Sequence, residues 1–395
     1  VVDGSYYDDT TYRAGTYDDS LNEGNDWDEG DHYLQLSNRE EDLVAMVCEK
    51  FDNVILVYNG ANAFELGFVE DYPQIKSVLW SAGQGHVGMT ALGEILSGQV
   101  NPSAKTIDTY VYDVKETPWW NNFGDFNYTN MDEYIYTQEF FGTVSKEVPA
   151  FVNYVEGIYV GYKFYETAAA EGLIDYDAMV QYPFGYGLSY TTFDRKASDS
   201  RQTDTGIQFK VTVTNTGSVP GKEVVQIYLH GAEEPLERPD RELIAFAKTK
   251  ELVPGESQTM DFSVDYRSFA VYNEKQAAWM LQKGENTLYL GGNARDNEAF
   301  AAFATEETLL EQVSNQVTPA HHTRPLNQLS KRDPEGTKPV APPIPANSGE
   351  KHGRMKDDQF AWPEVPMEQG KWQLRDVKDG RVSMTEFVKQ RTDFE

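Results

Sequence analysis

Tyr182-Pro183-Phe184-Gly185-Tyr186-Gly187-Leu188-Ser189-Tyr190-Thr191-Thr192-Phe193 divides the chain into two textures. Pro183 fixes φ and removes a backbone donor, while Gly185 and Gly187 admit backbone angles closed to other residues, so the segment turns rather than extending a helix or strand. Upstream, apolar residues recur at helical spacing and in short runs. Downstream they alternate with polar ones.

The downstream part reads as all-β. Ile207-Gln208-Phe209-Lys210-Val211-Thr212-Val213 alternates strictly, turn signals follow at 215–217 and at Pro254-Gly255, and further strands are predicted at 224–229, 258–264 and 287–290. Short strands at this spacing predict an immunoglobulin-like β-sandwich over residues 194–303.

The upstream part, 1–193, reads as an α/β domain. Residues 1–37 are rich in Asp, Gly, Asn and Tyr without a sustained period, which predicts loops. From Asn38, Arg39, Glu40 and Glu41 precede Leu43, Val44, Val47 and Phe51 at helical spacing, and Val54-Ile55-Leu56-Val57-Tyr58 follows as a continuous apolar run. That predicts a helix feeding a buried strand. A second strand at 75–80, a Gly-rich turn and a helical segment at 90–96 complete a strand and helix alternation, and 151–170 mixes both patterns.

Composition narrows the partners. A net charge of -30 over 395 residues repels polyanions and offers no basic stripe for phosphates, so nucleic acid and anionic membrane surfaces are poor partners. No apolar run approaches the roughly 20 residues that cross a bilayer, and no membrane association is expected. The single cysteine, Cys48, lies in an apolar-periodic stretch and reads as a small core hydrophobe. The compartment is left open between bacterial cytoplasm and secretion, because no disulfide is possible within the chain. Val1 is neither an initiator Met nor the start of a signal-like segment, which suggests a trimmed chain. Residues 304–371, with Lys338-Pro339-Val340-Ala341-Pro342-Pro343-Ile344-Pro345, read as an extended linker. Residues 372–395 regain apolar residues at Leu374, Val377, Met384, Phe387 and Val388, as the truncated start of another folded domain.

Two stretches carry a family resemblance. The 182–193 segment, and Val211-Thr212-Val213-Thr214-Asn215-Thr216-Gly217 with Gly221-Lys222-Glu223-Val224-Val225-Gln226, resemble glycoside hydrolase family 3, at the link between its α/β sandwich and its fibronectin type III-like domain. Asn101-Pro102-Ser103, Tyr154-Val155-Glu156-Gly157-Ile158-Tyr159-Val160-Gly161-Tyr162 and Leu252-Val253-Pro254-Gly255-Glu256-Ser257 are similar to family landmarks in the expected order. Departures are Ala104, where the family usually has glycine, and His86 within the 83–88 turn. Leu374-Arg375-Asp376-Val377 with Asp379-Gly380-Arg381-Val382-Ser383 resembles the lead-in to the family's catalytic (β/α)8 barrel in a circularly permuted order. The resemblance then implies that the barrel and its nucleophilic aspartate lie beyond Glu395, missing from this chain.

Cleaving a glycosidic bond takes two carboxyl groups flanking the anomeric centre. The resemblance implies that Asn22-Glu23-Gly24-Asn25-Asp26 is the acid/base loop, with Glu23 the proton donor and Asp26 a substrate contact. Local sequence alone reads Glu23 as a solvated acid, and Asp28, Glu29 and Asp31 are rival carboxylates in the same loop. A calcium loop does not fit 26–31, where the glycine falls one place early and no glutamate closes the frame. Trp119, Trp120 and Phe123, with Phe126, Tyr128 and nearby asparagines, form an aromatic segment suited to sugar faces; ordinary loop packing is the alternative. No metal-ligand spacing joins His86, His230, His321 and His322, so no metal is expected, and no cofactor. Neither a nucleophile elbow nor a phosphate loop is present. The expected activity is retaining hydrolysis of terminal β-D-glucosidic or related bonds, on a β-glucoside or oligosaccharide substrate, with the missing barrel of the same polypeptide as partner. The alternative is a non-catalytic carbohydrate-binding or cell-surface scaffold module.

Overall fold

The computed structural model describes residues 31–314, apart from 33, 86, 120–122, 125–135, 148–150, 153–155 and 234, together with residues 380–382. The α/β part runs α1 (Asn38–Lys50), β1 (Val54–Tyr58), β2 (Ile75–Trp80), α2 (Met89–Leu96), β3 (Tyr110–Val111), β4 (Phe123–Gly124), β5 (Tyr136–Phe140), β6 (Thr143–Glu147), β7 (Phe151–Val152), α3 (Tyr162–Ala170), α4 (Tyr176–Met179) and β8 (Val180–Tyr182). Glu40 starts α1 by reaching back to the Ser37 N–H at 3.0 Å, half of a capping box. Val44 and Cys48 face inward from α1. They join Leu36, Leu56, Tyr58, Phe64 and Leu66 in one core cluster.

β1 and β2 pair in parallel, from Val54 opposite Ile75 to Tyr58 opposite Trp80. The run expected to be buried throughout is not. Leu56, Val57 and Tyr58 are covered, whereas Ile55 is 51% exposed although it shares a strand face with the buried Val57. α2 likewise buries none of its residues. A second cluster, with Leu34, Val111, Val114, Tyr159, Phe164 and Tyr165 in it, lies between α3, α4 and the β3–β8 pair.

The all-β part comprises β9 (Phe193–Gln202), β10 (Gly206–Asn215), β11 (Val224–His230), β12 (Glu242–Lys248), β13 (Ser257–Asp265), β14 (Val271–Asn273), β15 (Ala278–Leu281), β16 (Gly284–Gly291), β17 (Asn297–Thr305) and β18 (Thr308–Gln312). A three-stranded sheet ordered β13-β10-β9 faces a four-stranded one ordered β12-β11-β16-β17. Alternate residues Val211 and Val213 from the first meet Val225, Ile227, Leu229 and Leu288 from the second in a shared core. This is the period-2 pattern of a sandwich interior. β18 pairs with β15, so the ladder continues into the segment read as a linker from 304; Leu310 packs on the core and supplies the apolar contact that a solvated linker lacks. The rest of that linker, and most of 372–395, lie outside the described residues. The unit Lys351–Glu395 contributes residues 380–382, a turn with Gly380 at φ 69° and Val382 buried.

The two parts of the first unit meet at the segment that divides the sequence. Asn101 accepts from Ser189 Oγ (3.0 Å) and the Tyr190 N–H (2.9 Å), and donates to Pro220 O (2.9 Å). Gln226 donates to Gly185 O at 3.0 Å, and Gly185 sits at φ 80° where a Cβ would run into that same side chain. Phe184 stacks on Tyr162 with ring centroids 4.4 Å apart. Ala104, the departure from the family glycine, is exposed and disturbs none of this.

Glu223 is the buried charge of the joint. Its side chain, 5% exposed, lies 3.3 Å from Lys105 Nζ on the α/β side and 3.2 Å from Arg195 on β9. Lys105 also donates to Gly187 O at 2.8 Å. Removing one member of a buried charge pair strands the others, a loss of about 3–5 kcal/mol. Glu223→Ala is expected to lower unfolding free energy by about 3 kcal/mol in urea titration, and Glu223→Gln by less, since the amide keeps a carbonyl acceptor.

Glu166 on α3 marks the other end of the joint, bonded by Tyr176 OH at 2.7 Å and 3.6 Å from Arg295 on the β side. Burial raises its pKa above the ordinary 4.5, although Tyr176 and Arg295 oppose the shift. A carboxyl with a raised folded-state pKa makes the folded state hold more protons, so stability falls as pH rises from about 4.5 to that raised value. Glu166→Gln is expected to flatten this decline in thermal midpoint measured from pH 4 to 8; Glu156, also pushed up by burial, leaves a residual slope.

Candidate functional site

The stem that leaves the acidic N-terminal segment is fixed by short contacts. His32 is buried, its Nδ1 accepts the Leu34 N–H at 3.2 Å, and its Nε2 lies 3.2 Å from Glu65 Oε1. Glu65 N–H donates to Leu34 O at 2.8 Å, and its carboxylate accepts the Val114 N–H at 2.7 Å. Leu34 and Leu36 then enter two different core clusters. Asp31, one of the rival carboxylates, accepts from Gln35 Nε2 at 2.9 Å.

His32, Glu65 and Asp113 bring potential ligand atoms within 4.8 Å of one another. Their hydrogen bonds argue for a backbone clamp instead of a metal centre. Because Nδ1 accepts from a backbone N–H, the proton of the neutral ring sits on Nε2, where it blocks the lone pair a metal needs. Asp113 is also engaged, accepting the Lys115 N–H at 2.8 Å.

Next to this stem the chain leaves the carboxyl end of β1 and folds back on itself. Tyr58 OH donates to Asn62 O at 2.8 Å, and Trp80 Nε1 donates to Gly60 O at 2.9 Å. A Cβ at Gly60 would strike the Tyr58 ring, so this return demands glycine. Between the 59–64 return, the 108–119 segment and α3 lies a cavity of about 320 Å³. Its polar and aromatic wall is Asn62, Asp108, Thr109, Trp119 and Tyr165. Leu34, Phe64, Val111 and Val114 supply an apolar floor.

Asp108 is open to solvent yet recessed in that wall, and desolvation there raises its pKa above the usual carboxylate range, against the Thr109 N–H bond that lowers it. Thr109 N–H donates to its Oδ1 at 2.8 Å. Tyr165, on α3, hydrogen-bonds the Trp119 indole, and burial with the nearby Asp108 charge holds its hydroxyl strongly protonated.

Of the residues singled out in the sequence, Trp119 falls in the cavity wall. Phe123 opens a two-residue strand paired with Val152, away from any regular sheet. Glu23, Asp26 and Trp120 lie outside the described residues. Sequence reading missed Asn62, Asp108 and Tyr165. No local pattern announces them, since they converge only when three separate segments pack.

The Fibronectin type III-like domain model matches residues 223–294, and the Glycosyl hydrolase family 3 C-terminal domain model matches residues 10–162. The chain belongs to glycoside hydrolase family 3. It is 33% identical over 409 aligned residues to Beta-glucosidase A of Butyrivibrio fibrisolvens, covering 94% of this chain and 46% of the relative. To a Beta-glucosidase of Ruminococcus albus it is 32% identical, over 72% of this chain and 27% of the relative. A β-glucosidase structure from Paenibacillus barengoltzii superposes with a TM-score of 0.64 at 28% identity, covering 91% of this chain and 38% of that one. The family 3 chain thus spans less than half the length of these relatives.

For the His32–Glu65 clamp, Zn²⁺ or EDTA is expected to leave the thermal midpoint unchanged. Glu65→Ala is expected to lower stability by about 1–3 kcal/mol, because the Val114 N–H loses its acceptor and the buried His32 ring loses the neighbouring carboxylate. A midpoint that rises with Zn²⁺ would reverse the reading.

Proposed function

We propose that this family 3 chain is the acid/base half of a retaining β-glucosidase, acting on terminal β-D-glucosidic or related bonds. Glu23 protonates the leaving oxygen and later activates water, while the attacking aspartate resides on a (β/α)8 barrel of the same polypeptide. The observation that carries this reading is the family C-terminal domain match, which runs unbroken through Glu23 and into the clamped stem at Leu34 and Leu36. The named β-glucosidase relatives supply the substrate class.

The chemistry follows from the division of carboxylates. A retaining mechanism needs its two carboxyl groups about 5–5.5 Å apart across the sugar, one forming the glycosyl-enzyme and the other cycling between acid and base. Placing them on different domains lets each take its protonation state from its own surroundings. Gly24 is the residue type that tolerates a sharp turn beside such a carboxylate. Asp26, Trp119, Trp120 and Phe123 are proposed substrate contacts.

On its own the chain is expected to show no turnover of aryl β-glucosides. In a polypeptide that includes the barrel, Glu23→Gln is expected to slow substrates with poor leaving groups by about 10²–10⁴-fold and activated aryl glucosides far less, with azide restoring turnover of the latter. Rates in the Gln variant equal to those of the parent on both substrate types would remove Glu23 from the mechanism.

A further inference from the structure

Two stretches almost free of ionised side chains meet beside the joint. Between Ala82 and Ala104 the only Asp, Glu, Lys or Arg is Glu94, and from Val180 to Phe193 there is none, although the chain carries 64 acidic residues. Asn101 ties the two stretches together through Ser189 Oγ and the Tyr190 N–H, and the Tyr190 hydroxyl donates to Ile95 O at 2.9 Å. Asn101 also holds Pro220 O, which brings Val219 alongside. Polar groups are spent on one another and apolar ones face outward: Leu96, Val100 and Val219 are exposed, Tyr190 is half exposed and Leu188 is 73% exposed. A contiguous apolar patch, unlike single exposed residues, marks a contact site.

The edge of the patch is basic. Lys105, bonded to Gly187 O, sits next to Leu188, and Lys222 follows Gly221, where a Cβ would strike Asn101. Lys248 stands opposite Val224 in the β11–β12 ladder. Lys105 is committed to Glu223, whereas Lys222 and Lys248 are exposed and have no ion-pair partner among the described residues. Slight burial and then repulsion from Lys222 lower the Lys248 pKa, with Lys105 adding to the repulsion and Glu223 opposing it, as crowded ammonium groups require.

An occupant of complementary make-up lies in the chain itself. Tyr7-Asp8-Asp9-Thr10 and Tyr17-Asp18-Asp19-Ser20 repeat one pattern, an aromatic ring followed by two carboxylates and a hydroxyl. Of residues 1–30, nine are acidic and one, Arg13, is basic. Reach is sufficient. Gln181 bonds Leu66 O beside Glu65 of the clamped stem, and Leu188 follows seven residues later, so the patch lies at most about 40 Å from the stem. The thirteen residues from Asp19 to His32 span up to about 45 Å.

We propose that the Tyr-Asp-Asp repeat at 7–9 and 17–19 docks on this patch of its own chain, rings against Leu96, Val100, Leu188 and Tyr190 and carboxylates against Lys222 and Lys248.

Tethering favours this segment over a second copy. Two copies meet with a net charge of -30 each, whereas a tethered segment is present at roughly millimolar effective concentration. Docking anchors the chain ahead of 22–26, on the far side of that loop from the stem at His32. It holds whatever reaction the chain serves.

The test is photo-crosslinking in the full 395-residue chain with Leu188→p-benzoylphenylalanine, a replacement at an exposed position. Adducts are mapped by mass spectrometry on an equal mixture of isotope-labelled and unlabelled protein. Position 188 is expected to join residues 6–19, each adduct within one isotope. Lys222→Glu with Lys248→Glu is expected to cut that yield about fivefold, the effect of losing two exposed ion pairs, and Asp8→Lys with Asp9→Lys, Asp18→Lys and Asp19→Lys in the same chain to restore it. Raised salt lowers the parent's yield. Lys275→Glu, in the β14–β15 turn, leaves it unchanged. Should the lysine variant lower the thermal midpoint, Tyr7→Ala with Tyr17→Ala is expected to cut the yield in its place. No adduct within 6–19, yields indifferent to these variants, or adducts that mix the isotopes would each overturn the proposal, the last in favour of a second copy.

Discussion

The arrangement of the described domains depends on one buried charge. Glu223 is withdrawn from water at the joint between the α/β part and the β-sandwich, with Lys105 reaching it from one side and Arg195 from the other. Desolvating three charges costs much of what their attraction returns, so such a cluster contributes little net stability compared with an apolar contact. What it enforces is geometry. Lys105 can meet Glu223 and Gly187 O together only when the 182–193 segment lies against both domains, and a rotation at the joint would leave a bare carboxylate in the interior. Asn101 and Gln226 repeat the constraint with neutral groups, each spanning from one domain to the other. Stability comes instead from the two flanking cores, built mainly from aliphatic and aromatic side chains.

That joint also explains why the fold was legible where it was. Several residues quoted for the family resemblance bond across the joint, Asn101 to Ser189, Tyr190 and Pro220, Gln226 to Gly185, and Glu223 to Lys105, which also holds Gly187 O, so their spacing along the chain encodes three-dimensional contacts. The sandwich was legible for a different reason, since a half-buried strand must alternate, as Ile207 to Val213 does. Alternation failed for β9, where the run from Asp194 is mostly polar and is held in the sheet by its backbone ladder to β10. It failed again at β18, whose two leucines amid Thr, Glu and Gln resemble a linker until β15 pairs with them.

The apolar run at Val54–Tyr58 was read as buried because parallel strands normally have both faces covered. Here Ile55 is half exposed, on the same strand face as the buried Val57, and α2 presents Met89 and Leu96 to solvent without burying any residue. A two-stranded parallel sheet is a small piece of an architecture that elsewhere has more strands and helices on both sides. The chain spans less than half of its relatives' length.

The candidate site was the least legible part, and for a physical reason. The Glu23-Gly24 pair is legible in the sequence as a short motif, whereas a cavity wall has no such local pattern. Asp108 precedes an ordinary strand, Tyr165 is spaced like any core residue of a helix, and Asn62 sits in a loop whose special need, glycine at position 60, concerns the Tyr58 ring. Their convergence depends on the stem at His32 and Leu34 being tied to Glu65 and Val114. The same ties bear on the proposed mechanism. A proton donor brought to a sugar from a separate domain must keep its position to a fraction of an ångström through the covalent step. The clamped stem, with leucines driven into two different cores, fixes the chain where it leaves the segment that carries Glu23.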